Sequence, residues 1–219
     1  MRYVNEKEFV DSEFPLKVRS QITSAIYMGY DMVTQLVKDN HWLQSVYGKN
    51  TYGILRNAAV SFCIDRKIAE HGLDISSKSV TNSRRNFNYI QLLTGNSIIN
   101  ISQVKSPNAV PRYADFRYEN SLVNGQVELH IEKDVAQILK KLRTNEVNYM
   151  ILTHGCFNNV PAFVHIGIPT VGADSWRYQY NLLRDPYVIE KNDEEHIKSV
   201  LPTFKEQLVK GVFGDGEKL

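Results

Sequence analysis

At Gly72 the hydrophobic period of this 219-residue sequence changes, and that change limits the folds open to it. Before it, Ile22, Ala25, Ile26, Met28, Met32, Val33, Leu36 and Val37 recur at spacings of three and four, the stripe of a half-buried helix. Gly48 and Asn50 interrupt the pattern. A second stripe of Ile54, Leu55, Ala58, Ala59, Phe62, Cys63 and Ile68 then runs up to the glycine. Gly72 suits the position just past a helix end, because it takes positive φ without a Cβ clash. Upstream, "DSEF" offers capping side chains and Pro15 a first-turn proline.

After Gly72 the runs are short, β-branched and aromatic. "NFNYIQLL" and "SIINISQV", joined by "TGN", predict a hairpin. "KSPNAVPRYADFRYEN", with two prolines, reads as an edge segment or ordered loop. Residues 126–132, "QVELHIE", alternate like a half-buried strand. "DVAQILKKLRT" follows as a short helix whose Asp134 start and Lys140, Lys141, Arg143 end suit the helix dipole. "NYMILTH" and "AFVHIGI" are strands around the turn-rich "GCFNNVP", and the alternation of Trp176, Tyr178 and Tyr180 predicts another. The last segment places Ile197, Val200, Leu201, Phe204 and Leu208 on a helical stripe, kinked at Pro202. The expectation is an α+β fold: N-terminal helices packed on a mainly antiparallel sheet, with one inserted helix and a C-terminal helix. It is read as a single domain over 1–219, helical to about residue 73, sheet from about 78 to 184, and a helix over about 192–212.

The hydrophobic fraction of 42% and charged fraction of 23% are ordinary for a globular chain, and net charge is only +2. Cys63 and Cys156 are the only cysteines, too few for a disulfide framework, so two free thiols in a cytoplasmic setting are expected. "MRYVNEKEFVDSEF" lacks the apolar segment of a signal peptide. No apolar run approaches the roughly 18 residues of a membrane span, and no membrane partner is expected. The phosphate-loop, dinucleotide, nucleophile-elbow, zinc-protease and CxxC patterns are all absent from the sequence. No cofactor is expected.

Charge is distributed unevenly. Between Asp74 and Asp115 there is no acidic residue, while Lys78, Arg84, Arg85, Lys105 and Arg112 fall in that interval and Arg117 just beyond. Phe87, Tyr89 and Tyr113 are interleaved with them. Cations contact phosphates and aromatic rings stack on unpaired bases, so this pattern points to nucleic-acid binding through the central hairpin. From Asp185 onward eight acids face five lysines, so the basic face equally fits a partner within the same chain. The functional expectation is an intracellular binding or regulatory protein of bacterial or phage type, with a macromolecular partner, nucleic acid or protein. Trp176, Tyr178 and Tyr180 are candidates for a protein-binding surface without nucleic acid.

Three chemical alternatives attach to particular residues. Asp115 precedes Glu128-Leu129-His130 on an expected strand, followed by a helix and another strand. Over residues 115–154 this order resembles the core of PD-(D/E)xK nucleases. The resemblance implies a Mg²⁺ held by acidic groups from adjacent strands, with a lysine assisting the attacking water. Ala114 stands where that core has proline, and His130 where it has lysine. A hard cation needs oxygen ligands converging from two elements, so Asp115 and Glu128 must meet. A Cys-His hydrolase needs a thiolate beside an imidazole, which leads to Cys156, two residues after His154, while Cys63 sits mid-helix. For metal, a turn centred on Asn158 and Asn159 pairs His154 with Phe163 and His165 with Leu152. Both imidazoles then share a face near Cys156, a soft donor set for zinc.

Overall fold

The apolar stripe after Pro15 becomes one face of a 24-residue helix, α2 (Leu16–Asp39), in a computed structural model that describes residues 6–82, 85, 87–127, 148–186 and 202–206. It follows α1 (Glu6–Glu13) and leads through two short turns of helix, α3 (His41–Gln44) and α4 (Val46–Lys49), into α5 (Tyr52–His71). Ile22, Ala25 and Ile26 of α2 and Ala59, Val60 and Cys63 of α5 are fully buried. Each fully buried isoleucine or valine among them contributes about 1.5–3 kcal/mol. The two helices approach to backbone contact: a Cβ at Gly29 would stand 2.8 Å from the Val60 Cα. Gly72 ends α5 in the left-handed region at φ 52°, its N–H on the Ile68 carbonyl. Pro15 occupies the cap of α2, one position earlier than expected, and "DSE" closes α1 instead of capping α2. Asp11 of that segment accepts from Lys7 and Arg19, and Arg19 also reaches Asp185 at 2.9 Å.

Among the described residues six strands form one sheet in chain order: β1 (Ser76–Thr81), β2 (Asn88–Leu93), β3 (Ser97–Gln103), β4 (Asn148–Phe157), β5 (Val160–Pro169) and β6 (Trp176–Asn181). All neighbours are antiparallel except β3 and β4. With helices preceding this mixed sheet, the fold is α+β. A parallel pair needs a long crossover, and residues 104–147 supply it. That segment opens as a loop over 104–114, but "DFRYENS" is a helix, α6 (Asp115–Ser121), followed by a 3-10 turn over Leu122–Val127. Of the strand expected over 126–132, residues 126 and 127 close this turn. The remainder and the helix from Asp134 lie outside the described residues. Most of the expected C-terminal helix also lies outside them; residues 202–206 are helical, with Phe204 buried 5.4 Å from the Phe62 ring.

The sheet has two unlike faces. Leu92, Ile99, Ile101, Met150, Leu152, Val164, Ile166 and Ile168 turn toward the helices and belong to the core. On the other face, Lys78, Gln91 and Asn100 align across β1–β3, and Ser102, Thr153 and His165 align across β3–β5. Polar strand faces ordinarily meet water. Here the middle of that face is covered, for Asn100, Ser102, Thr153 and His165 are all buried. The α6 helix supplies part of the cover: Phe116 stacks on Tyr89 with centroids 4.2 Å apart, and the Asn120 amide donates to Asn100. At the other end of the sheet the buried Glu13 carboxylate accepts from Thr94 and from the backbone and side chain of Asn96. These bonds tie α1 to the β2–β3 turn.

Candidate nucleic-acid interface

Antiparallel pairing decides which basic residues meet. Thr81 pairs with Asn88, so the described Asn82, Arg85 and Phe87 stand at the tip of the β1–β2 hairpin. Because β3 runs opposite to β2, it ends beside that tip, and the loop 104–114 leaves from the same end. Arg85, at φ 53° in the tip, and Lys105 and Arg112 in the loop are exposed. None of the three forms an ion pair among the described residues. Three aromatics stand among them: Phe87 is 47%, Tyr113 73% and Tyr118 43% exposed, and the two tyrosine rings are 6.3 Å apart. Lys78 is exposed on the polar face of the edge strand, farther from this end, and Arg84 lies outside the described residues. Arg117 turns inward. Its guanidinium donates to the Arg112 carbonyl at 2.7 Å and to Ser102 Oγ at 3.0 Å, which holds the loop against β3.

Asp115 stands exposed at the first position of α6, on a helix where the nuclease arrangement needs a carboxylate beside a neighbouring strand. Glu128 and His130 lie outside the described residues. The six strands carry no Asp or Glu at all. Among the described residues no group of three His, Cys, Asp or Glu is placed to hold a metal.

The β4–β5 hairpin turns at Asn158 and Asn159, both with positive φ (49° and 65°), as a two-residue turn matching the strand twist demands. Its register departs from simple counting. Cys156 pairs with Pro161, but Gly155 pairs with Phe163, leaving Ala162 as an extra, exposed residue. This bulge moves every later pair by one, so His154 faces Val164 and Thr153 faces His165. A one-residue shift reverses the face of each side chain. The expected convergence of His154 and His165 beside Cys156 is therefore replaced by histidines on opposite faces.

Each imidazole has its own surroundings. His154 is fully buried beneath α2, with Nδ1 2.9 Å from Tyr30 Oη and the rings edge to face at 5.6 Å. Burial, and then the Arg56 charge, lower its pKa to about 3. Burial raises the Tyr30 phenol, and Cys156 adds to the rise. His165 looks into the polar face with Nδ1 3.2 Å from the Pro107 carbonyl, and burial lowers its pKa too. Cys63 is sealed between helices, Sγ 3.3 Å from Met32 Sδ, and burial pushes its thiol up to about 12, far from a reactive thiolate.

A covered polar patch at the centre of the sheet was not legible in the sequence. Around Arg117 lie Asn100, Ser102, Tyr149 and Thr153. Asn100 Nδ2, Tyr149 Oη, Thr153 Oγ1 and Arg117 Nε have no hydrogen-bond partner among the described residues. The alternation of Asn100 and Ser102 with Ile99 and Ile101 was a signal of a polar strand face. Its burial was not visible, because the cover comes from a different part of the chain. Comparison with family models, with curated proteins and with solved structures finds no match for this chain.

Proposed function

We propose that this chain binds single-stranded nucleic acid at the end of its sheet formed by Arg85 and Phe87 of the β1–β2 tip and by the 104–114 loop. One observation carries the reading: two chain segments bring exposed Arg85, Lys105 and Arg112 to the same end as exposed Phe87, Tyr113 and Tyr118. Cations that track phosphates beside rings that stack on bases are the two parts of a single-strand site. The six strands add no carboxylate to this end of the sheet, and the acids beside Tyr113 are Asp115 and Glu119 of α6.

Fluorescence anisotropy of a labelled single-stranded oligonucleotide tests it. With three phosphate contacts, log K falls against log salt with a slope near −2, roughly a twentyfold loss from 50 to 200 mM salt. Tyr113→Ala weakens binding by about 1–3 kcal/mol through lost stacking. Mg²⁺ is not required, which separates this reading from a nuclease. No binding to single-stranded DNA or RNA at low salt would sink it.

In that event the reading that stands is contact with another protein, and it has its own observation. Trp42 (62% exposed), Val46 (75%), Tyr47 (84%) and Ile54 (68%) crowd the corner of α3, α4 and the start of α5. Exposed aromatics of this kind anchor protein interfaces.

A further inference from the structure

Arg117 is largely withdrawn from water, yet it forms no ion pair among the described residues and its hydrogen bonds go only to neutral oxygens, the Arg112 carbonyl and Ser102 Oγ. A buried guanidinium without a counter-charge carries a desolvation cost that an anion offsets. The side chains around it are donors as well. Tyr149 is 0% exposed, with Oη unpartnered and its phenol held beside the Arg117 charge. Asn100, 1% exposed, gives its Oδ1 to Asn120 and keeps an unpartnered Nδ2. Thr153, 0% exposed, lies directly across from Ser102 with Oγ1 unpartnered.

The register brings these groups together. Asn100 and Ser102 are alternate residues of β3, and Tyr149 and Thr153 point to the same face of β4. Adjacent strands lie about 4.8 Å apart and alternate residues about 7 Å apart, so Asn100 and Tyr149 are diagonal neighbours within reach of one spot beside the guanidinium, while Thr153 lies at the next level along the strand, across from Ser102. Buried polar groups ordinarily find partners, and Asn100 Nδ2 and Tyr149 Oη left unpartnered beside an unpartnered Arg117 Nε are unlike the scatter of ordinary exceptions.

From this geometry we infer that Arg117, Tyr149 and Asn100 form a binding site for an oxyanion of the phosphate type. The guanidinium supplies the counter-charge, and two neutral donors, Asn100 Nδ2 and Tyr149 Oη, supply hydrogen bonds to its oxygens. No carboxylate on the surrounding strands repels it. The ligand is free phosphate or the phosphomonoester end of a nucleotide, which share this chemistry. The site is separate from the exposed cations of the proposed nucleic-acid surface.

The test is calorimetric titration of the full-length protein with inorganic phosphate at constant ionic strength, and in a second arm with a nucleoside monophosphate and its nucleoside. Saturable binding of phosphate is expected, with the nucleoside silent. Tighter binding of the monophosphate assigns the nucleotide as the source; equal or weaker binding assigns free phosphate. Tyr149→Phe removes one oxygen and preserves packing; it weakens phosphate binding about tenfold or more, as expected for a hydrogen bond to a charged group. Arg117→Met abolishes it, and Arg112→Gln, on the exposed loop, leaves it unchanged. If chloride at equal ionic strength reproduces the heat, or if Tyr149→Phe binds like the unaltered protein, the site does not exist and water fills the spot. Loss in Arg112→Gln with retention in Tyr149→Phe likewise overturns it, placing phosphate on the outer patch. Because no nucleic acid enters the phosphate arm, this inference and the nucleic-acid reading fail independently.

Discussion

At the scale of single residues, His154 shows how burial sets a pH limit on the fold. Its folded pKa of about 3 compares with 6.5 for an ordinary imidazole. Between those values the unfolded chain takes up a proton that the folded chain refuses. Stability is therefore complete above about pH 6.5 and is lost as pH falls toward 3, at up to about 1.4 kcal/mol per pH unit for one group. His165, also lowered by burial, acts in the same direction. Glu13 enters only at lower pH: burial would raise its carboxyl, but bonds from Thr94 and Asn96 outweigh that and hold it below 4.5. His154→Gln removes one titrating group, so from pH 6 to 5 it should lose about 1 kcal/mol less stability than the unaltered protein. Urea unfolding at the two pH values measures this, and equal losses would show that His154 does not set the limit. The sequence revealed Gly72 and the Asn158-Asn159 turn at this scale, because positive φ is a local demand. Which way His154 pointed depended on the one extra residue, Ala162, and nothing in "VPAFVH" announces a bulge.

Among the elements, long helices were legible and short irregular pieces were not, for a physical reason. A 24-residue stripe repeats its message at every turn, whereas α6 has seven residues, no apolar stripe, and two prolines just upstream. The β1 strand, "SSKSVT", has one aliphatic residue; it is a strand by pairing with β2 and through the Ser77 hydroxyl bonded to Asp65 of α5. Helix packing yields a prediction in which one substitution has opposite signs at two sites. At Gly29 an added methyl meets the Val60 backbone at 2.8 Å, and backbone cannot step aside. At Gly53, near the start of α5, the nearest atom is Gln103 Oε1 at 3.7 Å, an ordinary contact with a flexible side chain. Gly29→Ala should therefore destabilise by about 1–3 kcal/mol through overpacking. Gly53→Ala should stabilise by about 0.4–1 kcal/mol by restricting the unfolded chain. Thermal unfolding of both variants decides it; a stabilised Gly29→Ala would mean that α2 and α5 do not meet at backbone contact.

For the molecule as a whole, the sheet separates the buried core from the surface proposed for binding. Its apolar face, with α2 and α5, buries the core, while the exposed cations sit on a tip and a loop beyond the strand ends. The acid-free interval from Asp74 to Asp115 was visible in the sequence, but whether its charges met was not. Their meeting follows from the antiparallel path of β1, β2 and β3, a property of pairing rather than of composition. This separation predicts that the two functions respond to different substitutions. Replacing Arg85, Lys105 and Arg112 together by glutamine removes no ion pair among the described residues and no buried side chain, so each change should stay within about 0.5 kcal/mol of neutral. The same variant should lose its single-strand affinity and flatten the salt slope by about 2, since each phosphate contact carries about 0.7 of it. Gly29→Ala should do the reverse, lowering the melting temperature while binding, measured well below that temperature, is unchanged. Melting curves and anisotropy on both proteins make the comparison. If the triple variant unfolds early, those cations hold the fold together and are not free for a ligand. If it binds as before, the ligand lies elsewhere on the molecule.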